Sequence, residues 1–166
     1  MRLFSTILLL AVSGNASAGV AGKAPRYVED VQCQAGPFGL HLPMTLPQVM
    51  ALGPIIRQVD GDVEQAPGYT ATRRYVDFNG LALDLIVFSN DPDRYMLVYA
   101  MASLPRWGAL LPFPVGSPAA AVRAALGSHS KGDPSLRATY GGDTDSMKFK
   151  VAKGKIVEVS YECYTG

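Results

Sequence analysis

The last nineteen residues before the final dipeptide, Ser146 to Tyr164, read SMKFKVAKGKIVEVSYECY. This stretch constrains the fold more than any other. Met147, Phe149 and Val151 alternate with Ser146, Lys148 and Lys150, and Val157, Val159, Tyr161 and Cys163 alternate with Glu158, Ser160, Glu162 and Tyr164. A period of two is that of a half-buried strand, so the stretch is a hairpin with one apolar face. The turn must bring the two apolar sets to the same side. A two-residue Lys153-Gly154 loop would set Phe149 opposite Glu158 and mix the faces. A three-residue Ala152-Lys153-Gly154 loop sets Phe149 opposite Val157 and Met147 opposite Val159, with Gly154 at the position that needs the left-handed region. That register is the expectation, and it points Cys163 inward with Val157, Val159 and Tyr161.

The other end of the chain reads as an address. Arg2 precedes an apolar run, Leu3 to Val12, and Ala16-Ser17-Ala18 supplies small residues before Gly19. That order is the one found in a cleavable signal peptide, and the run is too short for a membrane span. Residues 1–18 are therefore expected to be removed after Ala18 and the chain to be periplasmic or secreted. No cysteine follows the cut to carry a lipid anchor, and no later stretch is apolar enough to span a bilayer. The removed segment holds one of the 15 basic residues and none of the 14 acids, so the remainder is formally neutral. Such a balance argues against nucleic acid and anionic membranes as partners. An exported chain with two cysteines, Cys33 and Cys163, is most simply closed by one disulfide. Tyr27 to Gln32, just before Cys33, reads as a short strand beside the last one.

Between these ends, similar motifs occur twice. Gly36 to Met44 is an apolar, Pro-bearing lead-in, Thr45 is an N-cap, Val49 and Leu52 form a short stripe, and Gly53-Pro54 stops the helix. Gln58 to Gly68 reads as a polar loop. Strands follow over Thr70 to Phe78 and Leu81 to Phe88, joined by Asn79-Gly80, a strong hairpin signal that sets Val76 opposite Leu83 and Phe78 opposite Leu81. Ser89 to Asp93 reads as a turn, and Tyr95 to Ala102 as a third strand. The second round starts at Leu110 to Gly116. Ser117 is its N-cap, Pro118 the first helical residue, and Ala119 to Leu126 the helix, ending at Gly127. A strand from Leu136, an acidic turn and the closing hairpin complete it. The expected fold class is α+β: two α-β-β-β units forming an antiparallel sheet with short helices packed on one face. Residues 19–104 form the first repeat with an N-terminal strand, and residues 105–166 the second.

The two matching stretches, PFGLHLPMTLPQVMALG from Pro37 to Gly53 and PFPVGSPAAAVRAALG from Pro112 to Gly127, carry a resemblance. An apolar lead-in, a capped short helix, Leu-Gly and then antiparallel strands resemble the tandem units of β-lactamase-inhibitor-protein-like folds. The pattern is also similar to the small outer-membrane assembly lipoproteins. The resemblance implies helices on one sheet face and a second face free for a partner. The chain departs from the assembly lipoproteins in lacking an acylated cysteine, and the shared positions are structural, so no functional residue carries over.

Catalytic patterns are scarce. The sequence has no phosphate loop, nucleophile elbow or histidine pair at metal spacing. His41 and His129 stand alone, and Asp91-Pro92-Asp93 and Asp143-Thr144-Asp145 read as turn acids without the further ligands of a calcium loop. The chain is therefore read as non-enzymatic, with no catalytic residue, metal or cofactor. Trp107 is read as core packing at the junction of the repeats. The candidate partner-binding surface is the outward strand face: Arg73, Tyr75, Asp77, Asp84 and Phe88 from the first repeat, and Lys148, Lys150, Glu158 and Tyr164 from the second. Tyr and Arg are favoured at interface hot spots. The expected function is an exported protein-binding module of inhibitor or immunity type, its partner another envelope or secreted protein. The alternatives are a structural or assembly factor of the cell envelope and, third, a small enzyme.

Overall fold

The structure, a computed structural model, describes residues 26–28, 30–34, 36–127, 137–141 and 145–165. The expected signal peptide at 1–18, its cut before Gly19, His129 and Asp143 lie outside them. The elements in chain order are β1 (Arg26–Tyr27), α1 (Leu46–Met50), β2 (Ile55–Ala66), β3 (Tyr69–Phe78), β4 (Leu81–Phe88), β5 (Asp91–Ala102), a 3-10 helix (Pro105–Leu110), α2 (Ala119–Leu126), β6 (Arg137–Gly141), β7 (Ser146–Ala152) and β8 (Lys155–Glu162). Among the described residues the strands form one sheet in the order β1-β6-β7-β8-β5-β4-β3-β2. Every pairing is antiparallel except that of β1 with β6. A mostly antiparallel sheet with a few short helices agrees with the expected class at that level. No described helix is long and apolar enough to cross a membrane.

Cross-strand register explains where the core lies. One row runs Val76, Leu83, Ala100, Tyr161, Met147, Tyr140, and the next runs Phe78, Leu81, Ala102, Val159, Phe149. All of these side chains are buried. Side chains on a strand alternate between faces, so both rows share one face. The helices and their lead-in loops cover that face. Phe113 packs edge-on against Phe149 and stacks with Phe38, and Trp107 lies against Phe78. Three hydrogen bonds fasten the layer: the hydroxyls of Tyr161, Tyr95 and Tyr140 donate to the carbonyls of Phe38, Pro43 and Gly127. Trp107 donates its indole N–H to the Asn79 carbonyl at 2.9 Å, which ties the 3-10 helix to a hairpin turn as well as to the core.

The Asn79-Gly80 hairpin has the expected register, Phe78 opposite Leu81 and Val76 opposite Leu83. Gly80 is required there twice over: its φ is +77°, and a Cβ would lie 2.4 Å from the Leu104 side chain.

Five local expectations are corrected. The closing hairpin turns on two residues, Lys153 and Gly154, both at positive φ, rather than on three. A bulge reconciles that turn with the apolar pattern. Lys150 pairs with Glu158 but Val151 pairs with Ile156, so Val157 is extra, Ile156 points inward in its place, and Phe149 faces Val159. The supposed loop from Gln58 to Gly68 is mostly strand: β2 is an edge strand exposed over nearly its whole length, so it has no buried face to print an alternation. The first helix is thus followed by four strands rather than three. The turn after β4 is shorter than expected, with Phe88 already paired to Asp91. The Tyr27–Gln32 segment is not a strand beside the last one. Its strand part, β1, pairs with β6 at the far edge, and a Val31 N–H to Val28 carbonyl bond then turns the chain. Finally, α2 begins at Ala119, with Pro118 as its cap residue. Ala119 N–H donates to the Gly154 carbonyl, so the closing turn satisfies the helix end that a serine hydroxyl was expected to serve.

Cys33 and Cys163 are bonded, with Cα atoms 5.7 Å apart and a separation of 130 positions in sequence. One carboxylate braces both sides of the bond. Asp145 accepts the Cys33 N–H on one oxygen and the Tyr164 N–H on the other, each at 2.8 Å. Closing a loop of this length removes disorder from the unfolded chain. Reduction, or the Cys33→Ala and Cys163→Ala pair, is expected to lower unfolding free energy by about 4–5 kcal/mol. Urea unfolding of oxidised and reduced protein measures it.

Candidate functional site

The other sheet face is covered by no described element, and the register places the candidate residues on it. One outer row runs Val59, Tyr75, Asp84, Tyr99, Glu162, Ser146, and the next runs Arg57, Asp77, Ala82, Met101, Ser160, Lys148. Lys150 and Glu158 form a further cross-strand pair on the β7–β8 side, and Arg73 and Ile86 one on the β3–β4 side. Arg73, Tyr75, Asp77, Asp84, Phe88, Lys148, Lys150 and Glu158 therefore share one continuous face. They are not one cluster, because four strand spacings separate β3 from β7, about 19 Å. Tyr164 stands just past the end of β8 and is largely exposed.

The centre of this face is the part that sequence reading missed. Met96, Tyr99 and Met101 on β5 are half-buried among the charged flanks. In the run Tyr95 to Ala102, the apolar residues occupy both parities, so the pattern does not say which side each takes. A bulge at Val98 hides it further: Asp84 pairs with Tyr99 while Leu85 pairs with Leu97.

Asp84 is the unusual residue. It is 6% exposed although it stands on the uncovered face. Arg73, one strand over and diagonal to it, closes over the carboxylate with three bonds: Nε to both oxygens at 3.0 and 3.1 Å, and Nη2 to Oδ2 at 2.5 Å. The guanidinium also lies over the Tyr75 ring, its carbon 5.6 Å from the centroid. A planar donor fork suits both contacts in a way an ammonium does not. The hydrogen bonds to Asp84 hold the Arg73 pKa above its ordinary value. The result is a hydrogen-bonded polar patch set in an apolar and aromatic surround.

Toward the β2 edge the face dips into a depression of about 350 Å³ lined by Asp62, Val63, Glu64, Ala71, Arg73 and Ile86. Beyond it, Phe88 meets Tyr69 edge-on and carries the Arg94 guanidinium over its ring. At the opposite side Lys148 pairs with Glu162, and Lys150 approaches Glu158 at 3.9 Å. His41 is exposed and donates only its backbone N–H, to Leu110. Asp91 and Asp93 sit at the exposed start of β5, where the Asp93 N–H reaches the Asp91 carboxylate at 3.3 Å. Among the described residues, no three His, Cys, Asp or Glu side chains gather in a way that could hold a metal ion.

Arg74 points to the covered side, opposite to Arg73, and binds Asp60 of β2 in a bidentate pair at 2.6 and 2.8 Å. The hydrogen bond from Arg74 lowers the Asp60 pKa below the ordinary carboxylate value, with burial opposing it.

Comparison with protein families, with curated proteins and with solved structures finds no match to this chain.

Two expectations follow from these pairs. Arg73→Ala leaves the buried Asp84 carboxylate without its partner and is expected to lower stability by about 1–3 kcal/mol, the range for stranding a buried hydrogen-bonding group. Urea unfolding checks it, with Asp77→Ala, at an exposed pair, as the near-neutral comparison. Asp60 has its folded pKa depressed, so its contribution is present above the unfolded value of about 4 and is lost as pH falls through the lowered folded value. The stability gap between wild type and Asp60→Asn should therefore be constant from neutral pH to about 4 and shrink below it, as melting curves from about pH 2 to 7 would record.

Proposed function

We propose that this chain is an exported, non-catalytic protein-binding module that receives another envelope or secreted protein on the open face of its sheet, and that it acts as an inhibitor or immunity-type protein. The observation that carries this reading is the composition of that face. Tyr75, Ile86, Met96, Tyr99 and Met101 lie at its centre, and charged pairs flank it, Arg57 with Asp77 on one side and Lys148 with Glu162 and Lys150 with Glu158 on the other. An apolar and aromatic centre with a polar rim is the anatomy of a protein interface. The Arg73–Asp84–Tyr75 cluster adds a preorganised anchor, since its side chains are already fixed before any partner arrives.

The resemblance to tandem inhibitor-type folds supports the same reading. We take α1 with β2–β5 and α2 with β6–β8 as two diverged copies of one helix-then-meander unit, joined edge to edge between β5 and β8. In that arrangement both units present their outer faces to the same partner. The apolar run near the N-terminus and the disulfide agree with export through an oxidising compartment.

The test is capture from envelope extract with immobilised wild type, Tyr99→Ala, Met101→Glu and, on the solvent side of α2, Ala124→Glu. A partner held by wild type and by Ala124→Glu, and lost at least about tenfold by the two sheet variants at unchanged unfolding midpoints, is the expected result. Loss on Ala124→Glu with retention by both sheet variants would place the interface on the helical layer and sink this reading.

A further inference from the structure

The two edges of the sheet are treated very differently. At one edge the two-residue β1 lies along β6. At the other, β2 runs for 12 residues with every position from Ile55 to Gln65 exposed. Six large apolar side chains are well exposed among the described residues, and four of them, Ile55, Ile56, Val59 and Val63, are on this one strand. Ile56 and Val63 are 68% and 53% exposed. A lone edge strand offers unpaired N–H and C=O groups, and proteins that must stay monomeric usually blunt such an edge with charged side chains, lysine above all, with proline, with bulges or with a covering element. Residues 55–66, IIRQVDGDVEQA, carry bulges and charges of both signs but neither lysine nor proline, and no described element covers them.

The charge order along β2 selects the occupant. Arg57 stands near the start, and Asp60, Asp62 and Glu64 follow. Asp60 is satisfied by Arg74, while Asp62 and Glu64 form no ion pair among the described residues. A parallel neighbour of the same sequence would lay acid on acid. An antiparallel one lays each arginine along the acids of the other strand. The bulge in β2 between Asp60 and Val63 makes one register fit both faces. Arg57 pairs with Asp77 and Glu64 with Ala71, so Arg57 and Glu64 share the outer face. Gln58 pairs with Val76 and Val63 with Thr72, so those two share the covered one. Setting Arg57 of each copy opposite Glu64 of the other therefore also sets Gln58 opposite Val63, with no side chain on the wrong side. A two-fold axis between Asp60 and Gly61 generates this contact twice.

We propose that β2 pairs antiparallel with β2 of a second copy of this chain, giving a symmetric homodimer with one continuous sheet and both helical layers on the same side. The contact leaves the outer face of each copy open, so the dimer presents two docking faces in one surface, and it stands whether or not that face binds a partner. The interface rests on one strand pair, which belongs with small, reversible contacts rather than obligate ones.

Sedimentation equilibrium of the oxidised chain, residues 19–166, over about 1 to 500 μM covers the range of such contacts. The mass is expected to rise from one chain to two. Glu64→Arg, or Arg57→Glu, which also gives up the Asp77 pair within its own chain, replaces two favourable cross-strand pairs by two repulsive ones and should weaken dimerisation about tenfold or more. The double exchange, Arg57→Glu with Glu64→Arg, should restore it. All these sites are exposed, and unchanged unfolding midpoints check that the fold is intact. Independently, Arg57→Cys with Glu64→Cys should cross-link two copies on mild oxidation. A chain that stays monomeric throughout, a dimer indifferent to both single exchanges, or a double exchange that fails to restore association overturns the proposal. So does an edge that takes up a strand of some other protein while the free chain remains monomeric.

Discussion

Everything in this molecule depends on the seam between β5 and β8. Only four residue pairs make it, Tyr99 with Glu162, Ala100 with Tyr161, Met101 with Ser160 and Ala102 with Val159, extended by the Cys163 N–H bond to the Val98 carbonyl. Without it there would be a four-stranded and a three-stranded meander, each with an apolar face too small to be buried alone. With it, the rows through Ala100 and Ala102 cross both meanders, and a single layer of helix and loop covers them. The seam also joins distant parts of the chain, so its closure entropy is large and local contacts alone cannot hold it. The disulfide, placed just past the end of β8, is positioned to offset that entropy.

How much of this was legible depends on whether a residue's environment is written in its neighbours. The Asn79-Gly80 hairpin was readable because turn chemistry and alternation agree over both strands. The closing hairpin was readable as a hairpin, with its inward Met147, Phe149, Val159 and Tyr161, but not in register. A bulge adds one residue, and sequence carries no mark that distinguishes a two-residue turn with a bulge from a three-residue loop. β2 was invisible because hydrophobic periodicity reports burial, and this strand has no buried side. The cysteine pairing followed from count and the expected compartment alone. The role of Asp145 did not, since a turn acid and a carboxylate bridging two distant backbone segments look the same in one dimension.

The outward face was legible residue by residue and illegible as a surface. Arg73, Tyr75 and Asp84 were found by parity, yet their meaning lies in the diagonal bond that buries Asp84, and a diagonal partner is visible only once the strands are aligned. The centre of the face comes from β5, where alternation fails because both sides of the strand are apolar. A central strand is flanked on both edges and crowded on both faces, so its sequence approaches that of a fully buried strand even when one face has no cover. The residues best placed to meet a partner are thus the ones that pattern reading assigns to the core.

The same sheet is held very unequally along its width. Around β8, a covalent bond, a bridging carboxylate and the buried Tyr161 hydroxyl fix the chain. At the β2 end, the strand is retained by its ladder to β3 and by exposed ion pairs of Arg57 with Asp77 and Arg74 with Asp60. Exposed pairs contribute little, on the order of 0.2–1 kcal/mol each. Local opening should therefore be graded, easiest at β2 and hardest at the seam. That gradient gives the bare edge a physical rationale. A strand that adds little to the core is free to carry apolar residues and charges chosen for something outside it. The Arg73–Asp84 patch lies between the two regimes, on strands whose other face is packed.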